Sequence, residues 1–291
     1  MNFNISPYND DFSVEKNMYK VLFKPGFDVQ ARELNGLQSI LQNQVSSVGN
    51  HLFKNGAKIS GCSTAFIQYD YVRLNDTFDG EVLKLTPYNN TTIKLVGEVS
   101  GVEATIVDVL EKTDDTAPTL YVVYTKTGVD NQQSTVIPGE NILFYDENDV
   151  LVYTATARCP SCPENTETDN IAPIGKGLYF NIEAGIFYYN GLFIYVDDQK
   201  INIENYLVKD ETGAIVSNRR YRVGLDVVEE IVTVDEDKSL YDNHLGYPNF
   251  AAPGADRYKV SMHLSTQEYD ETGDFTAFIM LAKVRENHTV E

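Results

Sequence analysis

The sequence predicts a mainly β fold with one long N-terminal α-helix, arranged as several domains. Three observations carry this prediction. The chain holds 19 Tyr and 14 Phe with no Trp, among many Val, Ile and Thr, a composition that suits pleated, half-buried strands. A sustained 3.6-residue apolar period occurs only once, between Asp28 and Leu52. Elsewhere, short β-prone runs alternate with turn residues. At 291 residues and 42% apolar content, the chain can bury a sizeable core in two or three domains.

Residues 1–22 show no clear period and read as an arm. Pro25-Gly26 then breaks the chain. Leu34, Leu37, Leu41, Val45, Val48 and Leu52 step by three or four, as one helix face requires. Asp28 is the candidate N-cap, and Asn50 and Asn55-Gly56 are the candidate stops. The other helix positions are rich in amides (Gln30, Asn35, Gln38, Gln42, Asn43, Gln44) rather than in Glu–Lys pairs. Leu34, Leu37, Leu41, Gln44 and Val48 fit a 3-4-3-4 seam with one polar member, the pattern of helices that meet between identical chains. The plainer alternative is an amphipathic helix lying on its own domain's sheet. Gly36, mid-helix, costs about 1 kcal/mol against Ala and hints at a close approach there.

Residues 23–91 read as the helix plus strands, an anchoring region whose clearest strand is Ala65–Val72. Residues 92–155 read as a small β-barrel-like unit of about five short strands. Its apolar positions include Ile93, Leu95, Ala104, Ile106 and Val107, around a Gly97-x-x-x-Gly101 turn; Leu120–Tyr124 is a strand, with others near 141–145 and 150–155. The run 114–118 is a loop, and residues 156–175 are a polar linker. Residues 176–291 form a β-rich, sandwich-like domain. It contains the clearest hairpin of the chain, Ile186–Tyr189 and Leu192–Val196 about Asn190-Gly191, a type I′ turn that needs positive φ at both central residues. Later strands fall near 219–226, 257–266 and 275–284.

The formal net charge is −20, with 43 acidic against 23 basic residues. Such a balance repels phosphate backbones and anionic lipid, so nucleic acid and membrane surfaces are disfavoured partners. No stretch reaches the roughly 20 apolar residues of a spanning helix, and the first residues lack the basic and apolar regions of a signal peptide. Three Cys in this length are no disulfide scaffold.

Motifs that could carry chemistry are sparse. Cys159-Pro160-Ser161-Cys162 could be a redox pair or half a zinc site. No strand–helix context surrounds it, however, and Cys62 and His51, His244, His263 and His288 have no matching spacing, which leaves a tight turn or local staple. Asp146-Glu147-Asn148-Asp149, Asp235-Glu236-Asp237 and Asp242 could offer oxygens to calcium, but without an Asp-x-Asp-x-Asp-Gly loop they read as solvated loops. No carboxylate pair is marked by spacing, and no nucleophile elbow or phosphate-cradling loop is visible. Tyr188, Tyr189 and Tyr195 could stack on sugars but read first as core and interface residues. The expectation is no catalytic residue, no cofactor and no metal.

Three blocks carry a family resemblance. The run Val21-Leu22-Phe23-Lys24-Pro25-Gly26-Phe27-Asp28-Val29-Gln30-Ala31-Arg32-Glu33-Leu34-Asn35 continues through Leu37-Gln38-Ser39-Ile40-Leu41-Gln42-Asn43-Gln44. Ile182 to Val196 follows, and then Tyr221-Arg222-Val223-Gly224-Leu225 through Gly246-Tyr247-Pro248-Asn249-Phe250 to Tyr258. In this order they resemble the virion structural proteins of tailed bacteriophages, variously described as tail-fibre or baseplate proteins, whose shared N-terminal domain has no assigned activity. The resemblance implies a non-catalytic structural component that anchors tail fibres or neighbouring subunits and is assembled in the host bacterium's cytoplasm into the virion tail or baseplate. Its partners would be other tail, baseplate or fibre proteins and copies of itself, three rather than two. Members usually run on past the equivalent of residue 290, so the native protein is expected to extend further or to be a short member. The alternative is an adhesin recognising host-surface glycans. A depolymerase is disfavoured because no β-helix repeat is detectable.

Overall fold

The computed structural model describes residues 3–89, 92–112, 117–128, 132–159, 172–203, 220–268, 277–285 and 288–289. In chain order, the helix α1 (Ala31–Leu52) leads into β1 (Ala57–Gly61) and β2 (Thr64–Arg73). A short pair follows, β3 (Thr77–Phe78) and β4 (Glu81–Val82). Next come β5 (Lys94–Gly97), β6 (Glu103–Leu110), β7 (Thr119–Lys126), β8 (Asn141–Tyr145) and β9 (Leu151–Thr156). The chain continues with β10 (Ile174–Ile182), β11 (Gly185–Tyr189), β12 (Leu192–Val196) and β13 (Gln199–Asn202). It ends with β14 (Arg220–Val232), β15 (Arg257–Glu268), β16 (Phe278–Arg285) and β17 (His288–Thr289). Among the described residues the fold is therefore mainly β with a single α-helix near the N-terminus, as the sequence predicts.

Two compact units divide the described residues: 3–65, 181–201 and 220–289 in one, and 66–180 with 202–203 in the other. These boundaries differ from those read in the sequence. The stretch 23–91 is shared between both units, and 92–155 supplies most but not all of the second. Of the expected linker, 156–175, residues 160–171 lie outside the described residues, and β10 already begins at Ile174. Residues 114–116 of the expected loop also lie outside them.

The second unit is a barrel. Its strands belong to an eight-stranded sheet of order β13-β10-β2-β7-β6-β5-β8-β9, whose run from β2 to β9 curls until the chain just past each of those two strands pairs with the other. Leu74 bridges Ala157, Asn75 N–H donates to the Thr156 carbonyl and Arg158 N–H to the Arg73 carbonyl. The core obeys the period of two: Val72/Leu74, Ala104/Ile106, Leu120/Val122, Ile142/Phe144 and Ala155/Ala157 are i, i+2 pairs from successive strands, all buried. The barrel takes in β2, a strand the sequence assigned elsewhere, because its partner β7 lies far along the chain (Asp70 opposite Val122).

Two carboxylates fasten barrel turns. Glu140, buried, accepts the Val99 and Ser100 N–H groups, each at 2.8 Å, and the Ile137 N–H at 2.6 Å. Glu111 accepts the Leu85 N–H at 2.7 Å, the Thr86 N–H at 2.5 Å and the Thr86 hydroxyl at 2.6 Å.

The first unit holds a sandwich. A three-stranded sheet, β1-β11-β12, faces a four-stranded one, β15-β14-β16-β17. Between them sit Cys62, Ile182, Phe187, Tyr189, Ile194 and Val196 from the first side and Leu225, Met262 and Ile279 from the second. The sandwich-like C-terminal part expected from the sequence is thus present, completed by β1 from the N-terminal region. β14 and β15 pair without a break from Tyr221/Glu268 to Val232/Arg257. β15 is an edge strand, and the Gln199 amide caps it: its Nε2 donates to the Met262 carbonyl at 2.9 Å while its Oε1 accepts the Leu264 N–H at 2.6 Å.

Gln199→Leu strips both partners from that edge and should lower stability by about 1–3 kcal/mol, read as a lower urea midpoint. Glu111 yields a pH test. Burial alone would raise its carboxyl pKa, but the hydrogen bonds from Thr86 and Leu85, helped by Lys84, hold it below the ordinary 4.5. A depressed folded value means that the stabilisation is complete above about pH 4.5 and fades as the pH falls through the lower folded value. Urea midpoints of Glu111→Gln should therefore trail the wild type at neutral pH and converge with it in acid.

Candidate functional site

α1 carries two heptad-phased stripes one residue out of step. Asn35, Ser39, Gln42, Ser46 and Gly49 step 4-3-4-3 and are polar or small; Leu34, Gln38, Leu41, Val45, Val48 and Leu52 step 4-3-4-3-4 and are apolar but for Gln38. At 100° per residue, the two stripes point about 100° apart around the helix. Glu33 caps the start by accepting the Gln30 N–H at 3.0 Å, so the N-cap is Gln30 rather than Asp28.

The polar stripe faces inward. Asn35 Nδ2 donates to the Tyr8 carbonyl at 2.9 Å, the Ser39 hydroxyl donates to the Asp10 carboxylate, and Gln42 Nε2 donates to the Gly191 carbonyl at 2.8 Å. Gly191 and Asn190, at φ 86° and 46°, form the tight turn of the β11–β12 hairpin, so the tip of that hairpin is seated on the helix. Tyr188, fully buried, donates its hydroxyl to the Ser46 carbonyl at 3.2 Å and to Asn50 Oδ1 at 2.8 Å. A Cβ at Gly49 would stand 2.5 Å from the Tyr188 ring, so helix and hairpin approach more closely than any side chain allows. The close approach is at Gly49 and not at Gly36, whose nearest neighbour to a Cβ is Asp10 at 3.8 Å.

The apolar stripe faces outward. Leu34, Leu41 and Val48 of the predicted seam are 48%, 59% and 62% exposed. Leu37 is half-buried. Gln44 is exposed and borders a small hollow formed with Phe12, Val14, Met18 and Tyr19 of the arm. Val45 and Leu52, which the predicted seam omits, are 47% and 64% exposed and complete the stripe. The sequence also missed the arm's contribution: Val14, Met18, Tyr19, Leu22, Phe23, Phe27 and Val29 are all exposed. The signal was present as uncompensated apolar residues in a segment without periodicity.

Other candidates resolve structurally. Tyr188 and Tyr189 are core, whereas Tyr195 is exposed. Cys159 is disulfide-bonded and Cys62 is free and buried; Cys162 lies outside the described residues. Asp146, Asp237 and Asp242 accept backbone N–H groups two to four residues ahead, as turn-forming carboxylates do. Among the described residues, no group of His, Cys, Asp and Glu is placed to hold a metal ion, and no helix is long and apolar enough to cross a membrane. A cleft of about 580 Å³ opens beside the arm, lined by Phe3, Tyr8, Asp10, Gln38, Asp256 and Tyr258 among others. Several of its polar groups engage one another, as in the Tyr8 hydroxyl donating to Asp256 at 2.7 Å.

A family model describing a domain of unknown function, DUF4815, matches residues 6–121 and 177–284. The chain belongs to this family. Neither a curated protein nor a solved structure matches it. The two matched stretches contain the arm, α1 and the hairpin beneath it; the stretch between them begins within β7 and ends within β10. The helix, its polar seat and its outward apolar stripe are thus features of family-matched sequence.

Gly49→Val should force α1 off Tyr188 and cost about 1–3 kcal/mol, as overpacking does. Amide exchange should report it as lost protection across residues 42–52, with that of the barrel strands kept.

Proposed function

We propose that this chain is a non-catalytic structural component of a tailed-bacteriophage tail or baseplate, anchoring tail fibres or neighbouring subunits through protein–protein contacts, as a homo-oligomer of three copies. The observation that carries this reading is the outward apolar stripe of α1, in which Leu34, Leu41, Val45, Val48 and Leu52 are all exposed on one helix face. An exposed apolar patch marks an interaction site in a folded protein. The helix meets the hairpin through Gln42, Ser46, Gly49 and Asn50 and buries one apolar side chain, Ile40, so Leu34, Leu41, Val45, Val48 and Leu52 remain available to a neighbour. The three sequence blocks that resemble virion structural proteins add the setting. They coincide with α1, the β10–β12 region and the β14–β15 region, the elements that build and support this surface.

Cryo-electron microscopy of the particle into which the chain assembles tests the reading. The expected result is density for the chain in the tail or baseplate, with α1 covered by protein. A chain absent from the particle, or one that as a lone monomer cleaves or captures a host glycan, overturns it.

A further inference from the structure

We propose that the occupant of the outward face of α1 is the same face of identical copies, in parallel and in register, with Leu34, Gln38, Leu41, Val45, Val48 and Leu52 forming the seam. This rests on the assembly reading above and adds the partner and the contact residues.

The first argument is phase. The exposed residues repeat at 4-3-4-3-4, which is the spacing a helix presents to another helix of the same kind. Continuous left-handed packing needs this spacing, whereas a flat sheet or an irregular partner does not. The structure also corrects the phase read from sequence. Leu34, Leu41 and Val48 stay, but Leu37 is half-buried and Gln44 borders the hollow beside the arm, and Val45 and Leu52, both exposed, take their place. The single polar member is then Gln38 rather than Gln44. A buried amide in such a seam is satisfied only by an equivalent amide at the same level, so Gln38 sets the register.

Charge supplies the second argument. Residues 12–52 carry four cations (Lys16, Lys20, Lys24, Arg32) against three anions (Glu15, Asp28, Glu33), and none between Leu34 and Asn50, in a chain of net charge −20. Copies of so acidic a chain repel one another over most of their surface. This segment is the place where they can approach without that opposition. A basic partner would gain nothing here from charge.

Area and symmetry give the third. A 22-residue helix is about 33 Å long, and its stripe alone falls short of the roughly 800 Å² per partner of a standard interface. A third copy makes up the difference: each stripe then meets two neighbours rather than one, as three copies around a cyclic axis allow. A cyclic axis makes the helices parallel.

The test uses the purified full chain. Light scattering should give three times the 32.7 kDa chain mass, and the double variant Leu41→Asp, Val48→Asp should fall to a single chain mass. Both side chains are exposed in the single chain, so its fold should hold, read as an unchanged far-ultraviolet circular dichroism spectrum, while its thermal midpoint loses the concentration dependence of the wild type. Separately, Leu41→Cys and Val48→Cys should each give a covalent dimer on mild oxidation, because parallel copies in register set like residues together, while Val99→Cys, exposed on the barrel, should not. A wild-type multimer that survives the double Asp substitution, or that forms no same-site disulfide, overturns the seam and leaves the assembly reading standing. A wild-type monomer at micromolar concentration overturns the seam as well; the place of the chain in the particle then decides the assembly reading by itself.

Discussion

The seating of the β11–β12 turn on α1 is the contact from which the character of the N-terminal region follows. A tight turn presents a backbone carbonyl at Gly191 that must find a donor, and Gln42 supplies it. The buried Tyr188 hydroxyl needs acceptors, and the helix supplies the Ser46 carbonyl and the Asn50 amide. Leaving such groups unpaired would cost more than each pairing gains. The helix is therefore turned with Asn35, Ser39, Gln42 and Ser46 towards its own domain, and Leu34, Leu41, Val45, Val48 and Leu52 are left exposed.

That inversion explains why the helix was legible in the sequence while its orientation was not. The six-residue apolar stepping identifies α1 between Ala31 and Leu52 within a few residues. It also offers two equally regular stripes, and the choice between them lies in the hairpin more than 130 residues away, at Tyr188 and Gly191. Local period cannot see that partner. The hairpin itself was fully legible, because Asn190-Gly191 imposes its own geometry, and so were β15 and β16, whose limits fall within a few residues of the runs read from sequence; β14 begins where it was read but runs on six residues further, to Val232. The barrel was legible in its local hairpins alone: β2 enters through long-range pairing, and the Leu74–Ala157 bridge that closes it has no signature in either segment.

The acidic residues illustrate a related point. Runs such as Asp146-Glu147-Asn148-Asp149 look alike in sequence to cation loops and to turn formers, and only the direction of nearby N–H groups separates the two. Asp146 accepts from Asn148 and Val150, which closes a β-turn. Glu140 and Glu111 had no mark in the sequence, yet each collects three donors, Glu140 from turn residues and Glu111 from the start of a short 3-10 helix, Thr86–Tyr88.

The amide of Gln199 over β15 has a consequence for the history of a newly made chain. A twelve-residue edge strand would otherwise offer a template for stacking chain on chain into open-ended fibres. One side chain, spanning the Met262 carbonyl and the Leu264 N–H, withdraws the middle of that template. Growth without limit along the sheet is thereby discouraged.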